Sequence, residues 1–194
     1  MLKKIVLISL CSVSAFALHY GELKINDKDL EIAAKLDMGQ FNENVEPGTV
    51  FVGGRFFHVE AAHSSDSFAD IDPFYELDFL VKKPIGSTGL HLGMGIKLNY
   101  TNNFFSAPLG IEGEYKLPVS KMIPIYVNTS VYYAPNALSF NDADNYLEYR
   151  AGVEVELVKN ARVTFSYTKI NTNYVQSSDF TYNESWYIGF KFGF

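Results

Sequence analysis

The chain ends Trp186-Tyr187-Ile188-Gly189-Phe190-Lys191-Phe192-Gly193-Phe194, a segment whose even positions are all large and apolar and whose odd positions are small or polar. A strand has a period of two residues, so Trp186, Ile188, Phe190, Phe192 and Phe194 share one face while Tyr187, Gly189, Lys191 and Gly193 share the other. A strand this long with one wholly apolar face needs either a protein core or a lipid phase to cover it.

The same alternation recurs along the chain. Leu30, Ile32, Ala34, Leu36 and Met38 alternate with Glu31, Ala33, Lys35 and Asp37. Tyr75 to Lys82, Leu90 to Tyr100 and Leu109 to Leu117 behave likewise, and so do Ile123 to Tyr133, Leu147 to Leu157 and Arg162 to Thr168. Val50 to Val59 is strand-like but apolar on both faces, so its facing stays open. Segments of nine to eleven residues match the roughly 9–11 that a tilted transmembrane strand requires. Short connections at Val158-Lys159-Asn160 and Pro118 to Met122 alternate with longer polar ones at Glu60 to Pro73, Ala134 to Tyr146 and Asn171 to Glu184, as in membrane barrels with short turns at one end and long loops at the other. Nine strands are plain. Even strand numbers are the rule in such barrels, and His19 to Ile25 with a hairpin tip at Asn26-Asp27-Lys28-Asp29 supplies one more. The expectation is an all-β, transmembrane, antiparallel up-and-down barrel of ten strands, with eight as the alternative.

At the other end, Lys3 and Lys4 precede the apolar run Ile5 to Val13 and an Ala15-Phe16-Ala17 cleavage pattern, which reads as a signal peptide over residues 1–17 and a barrel domain over 18–194. The apolar run is well short of the roughly 18 residues of a spanning helix. Cys11, the single cysteine, falls in the leader, so the expected mature chain has no disulfide or Cys–metal chemistry. Loss of the two leader lysines takes the formal charge from −6 to −8. That balance argues against nucleic-acid partners, which need a basic stripe. Tyr and Phe far outnumber Trp, and such a supply of rings suits a lipid–water boundary.

Alternation is common to soluble and membrane barrels, so the placement of aromatics decides. If the last strand runs downward, Tyr100, Tyr133, Tyr149, Tyr167 and Trp186 all lie near the outer ends of their strands and in phase with the apolar residues, as an aromatic girdle does. Phe192, Phe194 and Tyr115 are candidates for the lower belt. The interior then holds a charge network of Lys97, Glu112, Glu114, Arg150, Glu154, Glu156, Arg162 and Lys191, together with Glu76, Asp78, His91, Asn128 and Glu148. Hairpin register is expected to set Glu156 opposite Arg162 and, across Thr101 to Ser106, Lys97 diagonal to Glu112. Side chains can fill a small barrel, so a plugged lumen is favoured over an open channel.

A chain that finishes on Phe190, Phe192 and Phe194 resembles bacterial outer-membrane proteins, whose assembly machinery reads that C-terminal signature. Val131-Tyr132-Tyr133-Ala134-Pro135-Asn136-Ala137-Leu138, followed by Asn145 to Glu154 and by Ser166-Tyr167-Thr168-Lys169-Ile170-Asn171, is similar to the YfaZ family of small outer-membrane proteins. The resemblance implies fold and an outer-membrane location in a Gram-negative bacterium. It brings no activity and no catalytic residue.

Chemistry-bearing motifs are weak. His63-Ser64-Ser65-Asp66-Ser67 has the residue types of a hydrolase triad, but triad members meet from separated, rigid positions rather than within one loop. His58 and His91 are candidates for a rim site. Asp66, Asp70 and Asp72 could hold calcium or join ions bridging lipopolysaccharide, yet their spacing fits no ion loop. Gly93 and Gly95 read as small lumen residues that let a narrow barrel close, not as a phosphate loop. The expectation is a monomeric barrel with no enzymatic activity, cofactor or metal, and a structural or surface-binding role; its partners are outer-membrane lipid, lipopolysaccharide and the assembly machinery. A narrow porin-like channel is the runner-up, and a membrane-embedded lipid or lipid A hydrolase the third reading.

Overall fold

The computed structural model describes residues 19–59, 73–102, 104–119, 122–141, 143–174 and 177–194. The expected leader, the His63 to Ser67 segment and the Asp66, Asp70 and Asp72 cluster lie outside the described residues.

Ten long strands close into an antiparallel barrel. In chain order they are β1 (Tyr20–Ile25), β2 (Asp29–Asp37), β3 (Val50–Val59), β4 (Phe74–Pro84), β5 (Leu90–Tyr100), β7 (Leu109–Leu117), β8 (Ile125–Ala134), β10 (Ala143–Val158), β11 (Ala161–Tyr174) and β12 (Ser177–Gly193). Two three-residue strands, β6 (Phe104–Ser106) and β9 (Ser139–Asn141), pair with each other, and β6 pairs with the end of β5. Every long strand pairs with its sequence neighbour among the ten, and β1 meets β12 to close the sheet. At that seam His19 and Phe194 exchange backbone hydrogen bonds of 2.8 Å in both directions. Both ends of the described barrel therefore lie at one rim, called here the terminal end; the opposite rim is the distal end.

The faces divide as the alternation requires. Leu77, Phe79, Leu92, Met94, Leu98, Ile111, Val127, Val153, Phe165, Ile188, Phe190 and Phe192 are exposed on the outside, whereas Glu76, Asp78, Lys97, Glu148 and Glu154 are buried within. An apolar exterior over a charged interior is the inverse of a soluble barrel and fits lipid. On β12 the apolar face runs from Trp186 to Phe194. Eight steps of about 3.3 Å at a tilt near 40° give roughly 20 Å, close to the apolar band of about 25 Å in such barrels. The band stops distally at Glu184, which pairs with Lys169 on the outside at 2.9 Å.

Four details differ from the sequence expectation. The polar stretch Asn171 to Glu184 is mostly strand, because β11 and β12 continue pairing beyond the apolar band, where the outer face can be wet. The Ala134 to Tyr146 connection contains a 3-10 turn at Asn136–Leu138 and the strand β9. β8 begins at Ile125 rather than Ile123, since Pro124 lacks an N–H for the ladder; its carbonyl still accepts from Glu156 N at 2.9 Å. Lys97 is not diagonal to Glu112. The β5–β6 tip closes tightly, with Thr101 N donating to Phe104 O at 2.9 Å and Phe104 N to Thr101 Oγ1 at 3.1 Å. Register is thereby moved by two residues, and Glu112 stands opposite Gly93. A shift of two preserves the facing, so both side chains still enter the lumen.

Candidate functional site

The lumen is layered. At the distal end Phe57, Phe74, Phe104, Tyr146, Ile170, Tyr182 and Tyr187 form a buried apolar cluster, none more than 3% exposed. Phe74 is central: its ring lies 5.6 Å from Tyr182, 6.3 Å from Phe104 and 6.4 Å from Tyr146. These residues come from β3, β4, β6, β10, β11 and β12, so the wall itself supplies the cluster. The sequence reading missed this layer. Its signal was present in Phe57 and Tyr146, ring residues in phase with Arg55 and Glu148.

Beneath the rings lies an ionic layer centred on Glu148, which is fully buried. Its carboxylate accepts from Arg55 Nη2 at 3.0 Å, Lys97 Nζ at 3.0 Å, Arg150 Nε at 2.6 Å and Tyr146 Oη at 2.6 Å. Arg55 also pairs with Glu76 and sits 5.1 Å from the Phe74 ring, joining the two layers. Arg150 grips Glu31 with both terminal nitrogens, at 2.8 and 2.7 Å. Three cations, Arg55, Lys97 and Arg150, thus face three carboxylates, Glu31, Glu76 and Glu148. Desolvation makes such a set costly unless every charge is matched, and here each is.

A third layer uses Tyr132, whose hydroxyl donates to Glu112 at 2.7 Å and whose ring lies under Lys97 Nζ at 4.1 Å. Gly95 and Gly110 make that ring possible. A Cβ on Gly110 would stand 2.3 Å from Val131 O and 2.4 Å from Tyr132 Cδ1, and one on Gly95 would stand 2.7 Å from the Tyr132 hydroxyl. Lys35 pairs with Asp78 at 2.8 Å and with Glu112 at 3.6 Å.

Toward the terminal end, Glu154 accepts from Arg162 at 2.9 Å, Lys191 at 3.1 Å and Asn128 at 2.9 Å. Glu114 pairs with Lys82 at 3.2 Å and with Arg162 at 3.6 Å. Arg162 and Glu156 are cross-strand partners, with charged atoms 3.8 Å apart. The Arg162 guanidinium also caps the Tyr126 ring at 3.7 Å. A cavity of about 130 Å³ remains between the layers, lined among others by Thr164, Ser166, Thr168, Lys24, Glu31 and Lys191. It adjoins a terminal mouth of about 220 Å³ lined by His19, His91, Lys82, Glu114, Arg162 and Lys191.

All eight residues expected in the network therefore meet in the lumen, joined by Lys24, Glu31, Lys35, Arg55 and Lys82, which the sequence reading had not assigned to it. Arg55 was lost because its strand is apolar on both faces. Of the residues expected in the girdle, Tyr100, Tyr133, Tyr149 and Trp186 are exposed on the outside. Tyr167 pairs with Trp186, one rung below the Lys169–Glu184 pair, and Tyr149 stands beside Lys169. Tyr75 and Phe56 extend this line, with rings 5.4 Å apart and Tyr75 opposite Tyr100. Phe190 and Phe192 stack at 6.2 Å on the β12 exterior. His58 is exposed at the distal end of β3 while His91 faces the terminal mouth, so the two do not share a rim.

No curated protein sequence matches this chain. Among solved structures it is similar to a KdgM porin, with 7% identity and a TM-score of 0.45 over 91% of this chain and 98% of that one. It is also similar to a NanC porin, with 10% identity and a TM-score of 0.44 over 92% and 99%. OmpT of Vibrio cholerae gives 14% identity and a TM-score of 0.36, over 86% of this chain and 56% of that one. The family model described as YfaZ precursor matches residues 3–194, nearly the whole sequence, and the chain belongs to the YfaZ family.

Proposed function

We propose that this protein is a closed outer-membrane barrel, monomeric in the outer membrane of a Gram-negative bacterium, whose lumen is a core rather than a passage. Its role is structural or surface-binding, exercised toward lipid and lipopolysaccharide. The observation that carries this reading is the double seal: a ring cluster at the distal end backed by the Glu148-centred ionic layer. A solute would have to displace buried rings and then separate charge pairs in a low-dielectric interior, where each unmatched charge costs several kcal/mol (about 3–5). Tyr149, Tyr167 and Trp186, just below the outward Lys169–Glu184 pair, support an aromatic girdle at the distal membrane boundary. The exposed aromatic face of β12 suits recognition by the barrel-assembly machinery.

Planar-bilayer recording of the refolded protein tests the closed lumen. The expected record is a silent baseline; discrete, reproducible steps would replace this reading with that of a narrow porin. The terminal half favours that second reading, since the cavity and mouth there share Tyr20, Lys82, Glu114 and Lys191 and leave only the distal layers to open. A hydrolase gains no support from His58 and His91, which face different compartments.

A further inference from the structure

The terminal mouth gathers hydrogen-bond donors that the protein itself does not use. Its volume of about 220 Å³ is several times the roughly 30 Å³ share of one water. His19 lines it with a fixed ring, stacked on Phe41 at 5.3 Å and edge-on to Phe194 at 6.1 Å. Its Nδ1 accepts from Asp37 N at 3.3 Å, so in the neutral ring Nε2 carries the proton. His91 stands opposite Glu114 on β7, and neither of its nitrogens has a hydrogen-bond partner among the described residues. The Tyr20 hydroxyl has none either. Lys82 carries three N–H donors and meets one carboxylate, Glu114, at 3.2 Å. Arg162 directs Nη1 to Glu154 and Glu114 and Nε to Glu156, which leaves Nη2 uncommitted.

Shared carboxylates draw these groups together. Lys82 and Arg162 pair with opposite oxygens of Glu114, Arg162 and Lys191 both pair with Glu154, and Lys191 Nζ lies 4.7 Å from the Tyr20 ring. Solvent reaches them: the Lys82 and Arg162 side chains are 18% and 22% exposed, against 5% for Lys97 in the ionic layer. Lys116 shares the Tyr126 ring with Arg162, at 5.7 and 3.7 Å, and has no carboxylate within ion-pair distance among the described residues. Four cations, Lys82, Lys116, Arg162 and Lys191, thus face three carboxylates, Glu114, Glu154 and Glu156. The mouth is locally positive in a chain whose formal charge is −6. Uncommitted N–H and O–H groups in a positive recess suit charge-assisted bonds to an oxyanion. They come from His19 and from β1, β4, β5 and β11, on different sides of the barrel wall. A tetrahedral anion, with oxygens in several directions, meets such a set better than a planar carboxylate.

We propose that the terminal mouth is a binding site for a phosphate-class oxyanion, held by Lys82, Arg162, Tyr20 and the imidazoles of His19 and His91. The barrel wall separates the mouth from the membrane, so the anion comes from solution and not from a lipid headgroup. Lys82 and Arg162 are each already shared with a carboxylate, which makes the binding weak and readily reversible.

The test is an imidazole NMR titration of the barrel in zwitterionic detergent micelles, with inorganic phosphate replacing chloride at fixed pH and ionic strength. The His19 and His91 resonances should move along a saturating curve while those of His58, exposed at the distal end, stay fixed. No movement, movement without saturation, or equal movement of His58 overturns the proposal. Tyr20→Phe keeps the ring against Phe51 at 5.9 Å and removes the hydroxyl alone. It should raise the half-saturating phosphate concentration several-fold, as should Lys82→Gln; an unchanged value in both variants counts against the site. Phosphatidylglycerol added to the micelles without phosphate should leave both imidazoles unmoved, and a shift there would overturn the solution source. None of these results depends on whether the lumen conducts.

Discussion

Replacing Glu148 by Gln keeps the volume at the centre of the lumen and removes one charge. Arg55, Lys97 and Arg150 then share two carboxylates instead of three. Each retains a partner: Arg55 holds Glu76 and Glu31, Lys97 holds Glu76 at 3.3 Å, and Arg150 keeps its two-pronged grip on Glu31. The loss therefore belongs at the lower end of the range of about 3–5 kcal/mol for breaking a buried pair, near 3 kcal/mol. Urea titration in detergent micelles reads it, with the single tryptophan, Trp186, reporting from the exterior of β12. At a slope of about 1–3 kcal/mol per molar urea, the midpoint should fall by about 1–3 M. The sharper measurement is the double variant Lys97→Met/Glu148→Gln, which restores neutrality. If the layer acts through matched charge, the double variant recovers more than half of the loss. A double variant at or below the sum of the two single losses would refute the reasoning, because the residues would then be acting as independent packing elements.

Ile188→Arg places a charge in the middle of the apolar band and should cost about 2–4 kcal/mol, whereas Tyr167→Arg, beside Glu184, should cost about 0–1 kcal/mol; heat-modifiable gel mobility after refolding into vesicles ranks the two. Gly110→Ala drives a Cβ to within 2.3 Å of Val131 O and should lower stability by at least about 1–3 kcal/mol in urea titration. Gly54→Ala, with nothing nearer than 3.5 Å, should stay within about 0.5 kcal/mol of the parent. Phe74→Ala opens the ring cluster at its centre and should cost about 3–5 kcal/mol by the same titration while the bilayer trace stays silent, since the ionic layer remains.

Strand number and facing were legible because they rest on one signal, period-two polarity, which a lipid-facing sheet must display on nearly every strand. The reading failed where that signal is overridden. Val50 to Val59 places Phe51 and Phe57 in the lumen beside Arg55, so its inner face is not polar and the cation that joins the ring cluster to Glu148 went unseen. The Lys97 position depended on the tightness of a hairpin tip set partly by the Thr101 hydroxyl, a detail below the resolution of a pattern. Asp29 reads as a turn residue and does belong to a turn, with its N–H on Asn26 Oδ1 at 2.6 Å. Nothing local shows that its carboxylate is buried against β12.

The ionic layer also accounts for how so small a barrel fixes its shape. Lipid covers the exterior without favouring one cross-section over another, since acyl chains are as apolar as the residues they meet. Uniqueness must come from within. Arg55 on β3 reaches Glu148 on β10, and Arg150 on β10 reaches Glu31 on β2, so the strongest pairs span the lumen rather than run along one wall. A barrel flattened or widened by a strand's width would break both at once and strand buried charge. On the closed-lumen proposal, the same crossing pairs that set the cross-section are those that obstruct passage. Closure and shape are then one device, and a variant that conducts while keeping its native urea midpoint would show that they can be separated.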